Sequence, residues 1–159
     1  MQAELQQAST GDLLRFYCDV LNELRRRGVI RSTNNPVADY TEHLVADALG
    51  LTRTDSSASG HDAVDADRKR YQIKGRRLTP QNPSTQLSAI RDLPARPFDY
   101  LAAVIYHPDF TIDYAALIPF EVVAERSQYQ EHTNSYRFFM KRKVLDDPRV
   151  NDITGRLAV

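Results

Sequence analysis

The sequence holds one cysteine, Cys18, so no internal disulfide can staple the chain and the fold must rest on its own core. It has no apolar run long enough to span a bilayer and no apolar leader after Met1. Both absences predict a cytoplasmic chain without a membrane partner. It has no net charge, because 21 Lys and Arg balance 21 Asp and Glu, and global electrostatics therefore give no reason to expect a polyanionic partner. Neither a Walker A loop nor a GxGxxG loop occurs, so nucleotide-driven chemistry is not indicated. His43, His61, His107 and His132 show no HxH or HExxH spacing, and one cysteine excludes a Cys-based zinc site. Of the four, His61 stands out only because it adjoins Asp62. There is no internal repeat and no low-complexity tract.

What is present is ordinary globular material. A chain of 159 residues with 42% hydrophobic and 26% charged side chains suits one domain over 1–159. From Gly11 to Arg27, Leu13, Leu14, Tyr17, Cys18, Leu21 and Leu24 recur at helical spacing, with Arg25, Arg26 and Arg27 before a stop at Gly28. This predicts an amphipathic helix with Cys18 in the core and the arginines placed either to suit the helix dipole or to touch nucleic acid. Asn35 as N-cap and Pro36 at the first helical position open a second helix, with Val37, Tyr40, Leu44, Val45 and Ala48 apolar, Glu42 at the edge of the stripe and Gly50 as terminator. The link of about eight residues between them is too long for a helix-turn-helix, which uses about three or four.

A turn-rich stretch, Thr52 to Gly60, leads into two β-patterned runs, Asp62 to Ala66 and Arg70 to Leu78, read as a hairpin around Asp67, Arg68 and Lys69. The Pro-rich segment 79–97 reads as a loop with a short helix around Gln86 to Asp92. Phe98 to Tyr106 and Phe110 to Ile118 are near-continuous apolar runs of central strands. A helix from Pro119 to about Arg126, a strand over Ser135 to Lys141 and a closing helix over Pro148 to Leu157 complete the pattern. The expected class is α/β, a mixed central sheet flanked by helices.

Charge is local even though it cancels overall. Asp39, Glu42, Asp47, Asp55, Asp62, Asp65 and Asp67 precede a stretch, Arg68 to Arg77, with six basic side chains and no acidic one. Strand alternation puts Gln72, Lys74 and Arg76 on one face. With a loop of Asp67 to Lys69, Ala66 pairs with Arg70 and Asp62 falls opposite Lys74, whereas a one-residue slip would separate them onto opposite faces. Asp65 is a second-ranked carboxylate on the other face.

An acid, an amide oxygen and an ammonium together suit phosphodiester hydrolysis. Asp62 and Glu42 would offer anionic ligands for Mg²⁺ or Mn²⁺, with the Gln72 side-chain oxygen and the Ile73 carbonyl completing an oxygen shell. Lys74 would orient or deprotonate the attacking water. Arg76 and Arg77 would hold the phosphate backbone, and Gln86, Ser88 and Arg91 would line a nucleic-acid-facing loop. The bland alternative is a surface ion pair between Asp62 and Lys74, with Gln72 solvated beside them.

Asp62, nine intervening residues and then Gln72-Ile73-Lys74, preceded by a helix bearing Glu42, resembles the PD-(D/E)XK nuclease superfamily, in the D…QxK form of its Mrr-like branch. The resemblance covers roughly Pro36 to Arg126, with 11–28 as a helical N-terminal extension. It implies a restriction endonuclease-like fold and a Mg²⁺-dependent endonuclease that cuts DNA, with RNA left open. It further implies a role in bacterial restriction or defence and, by analogy, a homodimer. Gln72 stands where the family usually has a second acid, which removes one negative charge from the metal shell. That departure keeps a second expectation alive, a nuclease-like module that binds nucleic acid or assembles without cutting. The stretches RSTNNPVADYTEHLVADALGL and DDPRVNDIT resemble bacterial proteins that bring no activity with them.

Overall fold

A computed structural model describes residues 1–55 and 60–157. In chain order its helices are α1 (Gln2–Gln7), α2 (Thr10–Arg26), α3 (Val37–Leu49), α4 (Phe120–Arg126) and α5 (Thr154–Leu157). Its strands are β1 (Thr52–Arg53), β2 (Ala63–Val64), β3 (Arg70–Arg77), β4 (Tyr100–Tyr106), β5 (Ile112–Pro119), β6 (Gln128–Gln130), β7 (Ser135–Arg137) and β8 (Asn151–Asp152). Six strands form one mixed sheet in the order β1-β2-β3-β4-β5-β8, while β6 and β7 form a separate hairpin. Among the described residues only β3 and β4 run parallel. The protein is therefore α/β, as expected, and among the described residues no helix is long and apolar enough to cross a membrane.

The core divides by strand alternation. Leu101 to Tyr106 of β4 are wholly buried on both faces, as their unbroken apolar run requires. Leu101, Ala103 and Ile105 meet Leu87, Ile90, Leu93, Val122, Val123, Phe138 and Met140 on one face. Ala102, Val104 and Tyr106 meet Leu44 and Val45 of α3 and Leu157 of α5 on the other. Helix α3 lies close against β3 because Gly75 carries no side chain: a Cβ there would collide with the Thr41 hydroxyl. That hydroxyl donates to the Val37 carbonyl and bonds the Tyr106 hydroxyl at 3.0 Å.

Local sequence explains several boundaries. Ser9 caps α2 by accepting from the Asp12 amide. Asn35 accepts from the Val37 amide, so α3 begins one residue later than Pro36. Gly50 ends α3 at φ 67°, a left-handed value that glycine adopts without Cβ strain.

Five expectations need correction. Cys18 is exposed, not core, because nothing among the described residues covers the apolar face of α2. Leu13, Leu14, Phe16, Tyr17 and Val20 are exposed as well, and Leu21 is the helix's one buried residue. Thr52 and Arg53, read as part of a turn, form the edge strand β1, which pairs with β2; residues 56–59 of that turn lie outside the described residues. No helix forms at Gln86 to Asp92. That segment is extended because its backbone finds partners across 136–140: Leu87 N–H donates to Phe138, Met140 N–H to Thr85, and Ile90 and Tyr136 exchange two bonds. The strand expected over Ser135 to Lys141 ends at Arg137, with a further isolated bridge between Phe139 and Gln86. The closing helix shrinks to α5, because Asp147 is held by Arg126 and Arg149, and Asp152 accepts from the Thr154 amide.

Candidate active site

The β2–β3 hairpin sets the geometry. Its register is Ala63 opposite Tyr71 and Val64 opposite Arg70, two residues away from the expected pairing of Ala66 with Arg70. The cause is Asp65. Its amide donates to the Lys69 carbonyl, its Oδ1 accepts from the amides of Asp67 and Lys69, and its Oδ2 accepts from the Tyr71 hydroxyl. The loop is thus Ala66 to Arg68, with Arg68 in the left-handed region at φ 61°, the three-residue hairpin form. Asp65, ranked second as a site carboxylate, is a turn cap. A shift of two residues preserves the face of every side chain, where a shift of one would have inverted it. Asp62 therefore stays with Gln72 and Lys74 but lies beside Gln72, not opposite Lys74.

Asp62 sits where the ladder ends. Its amide donates to the Tyr71 carbonyl and its own carbonyl accepts from the Thr54 amide. Its Oδ2 accepts from Gln72 Nε2 and from the Ile73 amide, both at 2.7 Å. Because β2 has only two residues, the edge of β3 beyond Tyr71 has no strand beside it, and the Asp62 carboxylate takes the place of the next ladder partner. The Ile73 carbonyl points to this same edge, since amide and carbonyl of one strand residue share a side. Asp62, Gln72 and Lys74 line a cleft of about 630 Å³ together with His61, Arg70, Arg91 and the backbone around Ala89. Its rim is closed where Gly60, at φ 85°, abuts Pro97 with no room for a Cβ.

Glu42 arrives from the opposite layer. It projects from α3 over the open β3 edge into a second cavity of about 210 Å³, lined also by Arg31, Ser32, Asp39, Thr54, Asp55 and Asp62. Asp62 borders both cavities. Burial first, and then the charges of Asp62 and Asp39, push the Glu42 carboxyl up to about 7. Asp39 behaves differently. Burial raises it, but the amides of Ser32 and Arg31 and the Ser32 hydroxyl outweigh that and hold it below the usual carboxylate range. Asp39 is tied to the link between α2 and α3, whereas Glu42 has no hydrogen-bond donor among the described residues.

Lys74 runs under the segment between β3 and β4, donating to Ser88 Oγ at 2.8 Å and to the Ala89 carbonyl at 3.2 Å. Burial lowers its pKa, while the charges of Asp62 and Glu42 pull the other way. The two arginines do not act as a pair. Arg76 shares the face of Lys74 and donates to the Ser84 carbonyl and Asn82 Oδ1, but Arg77 lies on the other face, its guanidinium 4.7 Å from the Phe110 ring. Arg91 lines the cleft; Gln86 is outside it, paired with Phe139.

Asp55, legible in the sequence only as one of a run of acidic residues, lines the Glu42 cavity; its turn-rich stretch has no periodicity to place it. Among the described residues no group of three or more His, Cys, Asp or Glu side chains is arranged to hold a metal ion. A cation here would need oxygens of other kinds as well. They are at hand: Gln72 turns its nitrogen to Asp62, leaving Oε1 free, and Asp62 Oδ1 has no hydrogen bond among the described residues. No family model matches the sequence, and no curated protein matches it either.

Proposed function

We propose that this chain is a Mg²⁺- or Mn²⁺-dependent nuclease that hydrolyses phosphodiester bonds of DNA, a member of the PD-(D/E)XK type with a D…QxK site. The observation that carries the reading is that Asp62, at the open edge of β3, borders two cavities at once, one shared with Gln72 and Lys74 and one shared with Glu42 from the other layer of the fold. The donor set fits a hard divalent cation. Asp62, Glu42, the Gln72 amide oxygen and the Ile73 carbonyl would hold it, and the burial and then the like-charge crowding that raise Glu42 are both offset by a bound cation. When bound, the ion supplies neutralisation of charge at the scissile phosphate and a more acidic attacking water.

The residues themselves do the rest. Lys74, fixed by Ser88 and Ala89 at the cleft wall, presents its amine to orient the water and to handle its proton, helped by a pKa lowered from the usual lysine value. Arg91, which lines the cleft, offers a cationic contact to a flanking phosphate, whereas Arg70 is held by Asp99. We place the chain in the bacterial cytoplasm, in restriction or defence, working as a homodimer.

A second reading is a nuclease-like module that binds without cutting. It is favoured by Gln72, whose amide satisfies Asp62 in the absence of any ion. A plasmid-nicking assay with Mg²⁺ or Mn²⁺ separates the two. The native chain should nick, and Asp62→Ala and Lys74→Ala should lose at least about a hundredfold. Equal activity in all three removes the site. No nicking and no calorimetric metal binding, with salt-sensitive DNA binding retained, selects the second reading.

A further inference from the structure

Beyond the cleft, the extended segment over 84–90, expected from the sequence as a nucleic-acid-facing loop, pairs with the segment over 136–141 in a short two-stranded patch. Gln86 and Phe139 are a bridge pair, and the bonds from Leu87 N–H to Phe138 and from Met140 N–H to Thr85 flank it. This is the non-hydrogen-bonded kind of antiparallel pair, in which side chains approach most closely. Leu87, Phe138 and Met140 point into the core, so alternation turns the neighbours outward in two rows: Ser84, Gln86 and Ser88 beside Lys141, Phe139 and Arg137.

The outward rows have one charge sign. Residues 82–91 and 134–145 contain no acidic residue, while the second stretch holds Arg137, Lys141, Arg142 and Lys143. Arg142 is engaged by Asp113, but Arg137 and Lys141 have no carboxylate partner among the described residues. Both flank one half-buried ring, Arg137 at 5.8 Å and Lys141 at 5.9 Å from the centre of Phe139. Arg137 also donates to the neutral Gln128 amide.

The patch is continuous with the cleft. Ser88 accepts from Lys74, and the Ser84 carbonyl accepts from Arg76, so Arg76 and Lys74 border one side of the rows and Lys141 and Arg137 the other. Cations alternating with an aromatic ring along an extended strand, repeated about every 7 Å, suit a sugar-phosphate backbone whose bases are free to stack.

We infer that this face, Arg137, Phe139 and Lys141 with Gln86 and Ser88, binds a single-stranded nucleic-acid segment and leads it to the Asp62–Lys74 cleft. The inference rests on the nucleic-acid reading of that cleft and assigns its substrate class as a nucleic acid with unpaired bases. A base stacks on Phe139, Gln86 bonds it or the backbone, and the two cations hold neighbouring phosphates.

The test uses the native chain in EDTA, where cutting is blocked, with fluorescence anisotropy of a labelled 20-nucleotide single strand and of the matching duplex. The single strand is expected to bind more tightly than the duplex. Phe139→Leu should weaken single-strand binding about tenfold. Lys141→Ala should weaken it similarly and lower the salt slope by about one. Arg156→Ala, on the opposite side of the sheet, should change nothing, and circular dichroism should show every variant folded. Binding of neither oligomer, tighter binding of the duplex, or equal affinities across the variants overturns the inference. A native chain that nicks plasmid while these variants bind as it does overturns the face alone. A chain that with Mg²⁺ cuts neither plasmid nor the single-stranded oligonucleotide, but shows the expected binding losses in EDTA, keeps the face and discards the nuclease.

Discussion

Helices α2 and α3 both carry an amphipathic pattern, the stronger one on α2, yet the fold covers only the weaker. The 13 residues of α3 lay Thr41, Leu44 and Val45 on the sheet and bury them. The 17 residues of α2 bury Leu21 alone and leave Leu13, Leu14, Phe16, Tyr17 and Val20 to solvent. Each has an apolar stripe, and each is well started, by Ser9 in one case and Asn35 in the other. Periodicity identifies which side of a helix is apolar, but it carries no information about whether another element arrives to cover that side. Where α3 is covered, consequences follow for function: close packing at Gly75 brings Glu42 over the β3 edge.

The sharpest way to break this contrast is Gly75→Ala, which forces a methyl group against the Thr41 hydroxyl and should cost about 3 kcal/mol in urea unfolding. A loss under about 1 kcal/mol would mean that α3 is free to lift from β3. Leu44→Ala, at the same interface, should cost about 2 to 3 kcal/mol.

Glu42→Gln should act in the other direction and depend on pH. The folded pKa near 7 lies above the ordinary 4.5, so the folded chain holds an extra proton between those values. Stability therefore falls as pH rises from about 4.5 to about 7, and the full cost persists above that. At pH 8 the substitution should stabilise the chain by about 1 to 2 kcal/mol after allowance for solvent screening, and at pH 4 by nothing measurable. Saturating Mg²⁺ should erase the gain at pH 8 if the proposed cation site is real; an unchanged gain counts against it.

The smallest effects belong to α2. Leu14→Ser should change stability by no more than about 0.5 kcal/mol, and Cys18 should react with a thiol reagent in the native chain as fast as a small free thiol of the same acidity. A larger, concentration-dependent loss at Leu14, or a protected Cys18, would show that the face of α2 is covered by another chain in solution.

The hairpin shows how far local pattern reaches. Alternation along Arg70 to Leu78 correctly placed Gln72, Lys74 and Arg76 on one face, yet the pairing across the hairpin was displaced by two residues because Asp65 captures the turn amides. The error left the faces intact because the strand period is two. Arg76 and Arg77 were grouped by adjacency and then separated by that same alternation. The extended run over 84–90 escaped detection because its pairing partners lie about fifty residues away, at 136–140, and a strand stabilised at such distance has no local signature.

By itself the sequence determined the apolar stripes, the buried strands β4 and β5, the start of α3 at Asn35 and the helix stops at Gly28 and Gly50, and the polar face of β3, because each depends on neighbours within a few residues and on the periods of helix and strand. The tertiary structure alone decided that β2 stops after two residues, that Glu42 from one layer shares a cavity with Asp62 from the other across the edge this leaves, and that α2 stays uncovered among the described residues. Those outcomes depend on which distant surfaces come into contact, and burial and electrostatic crowding exist only once they have done so.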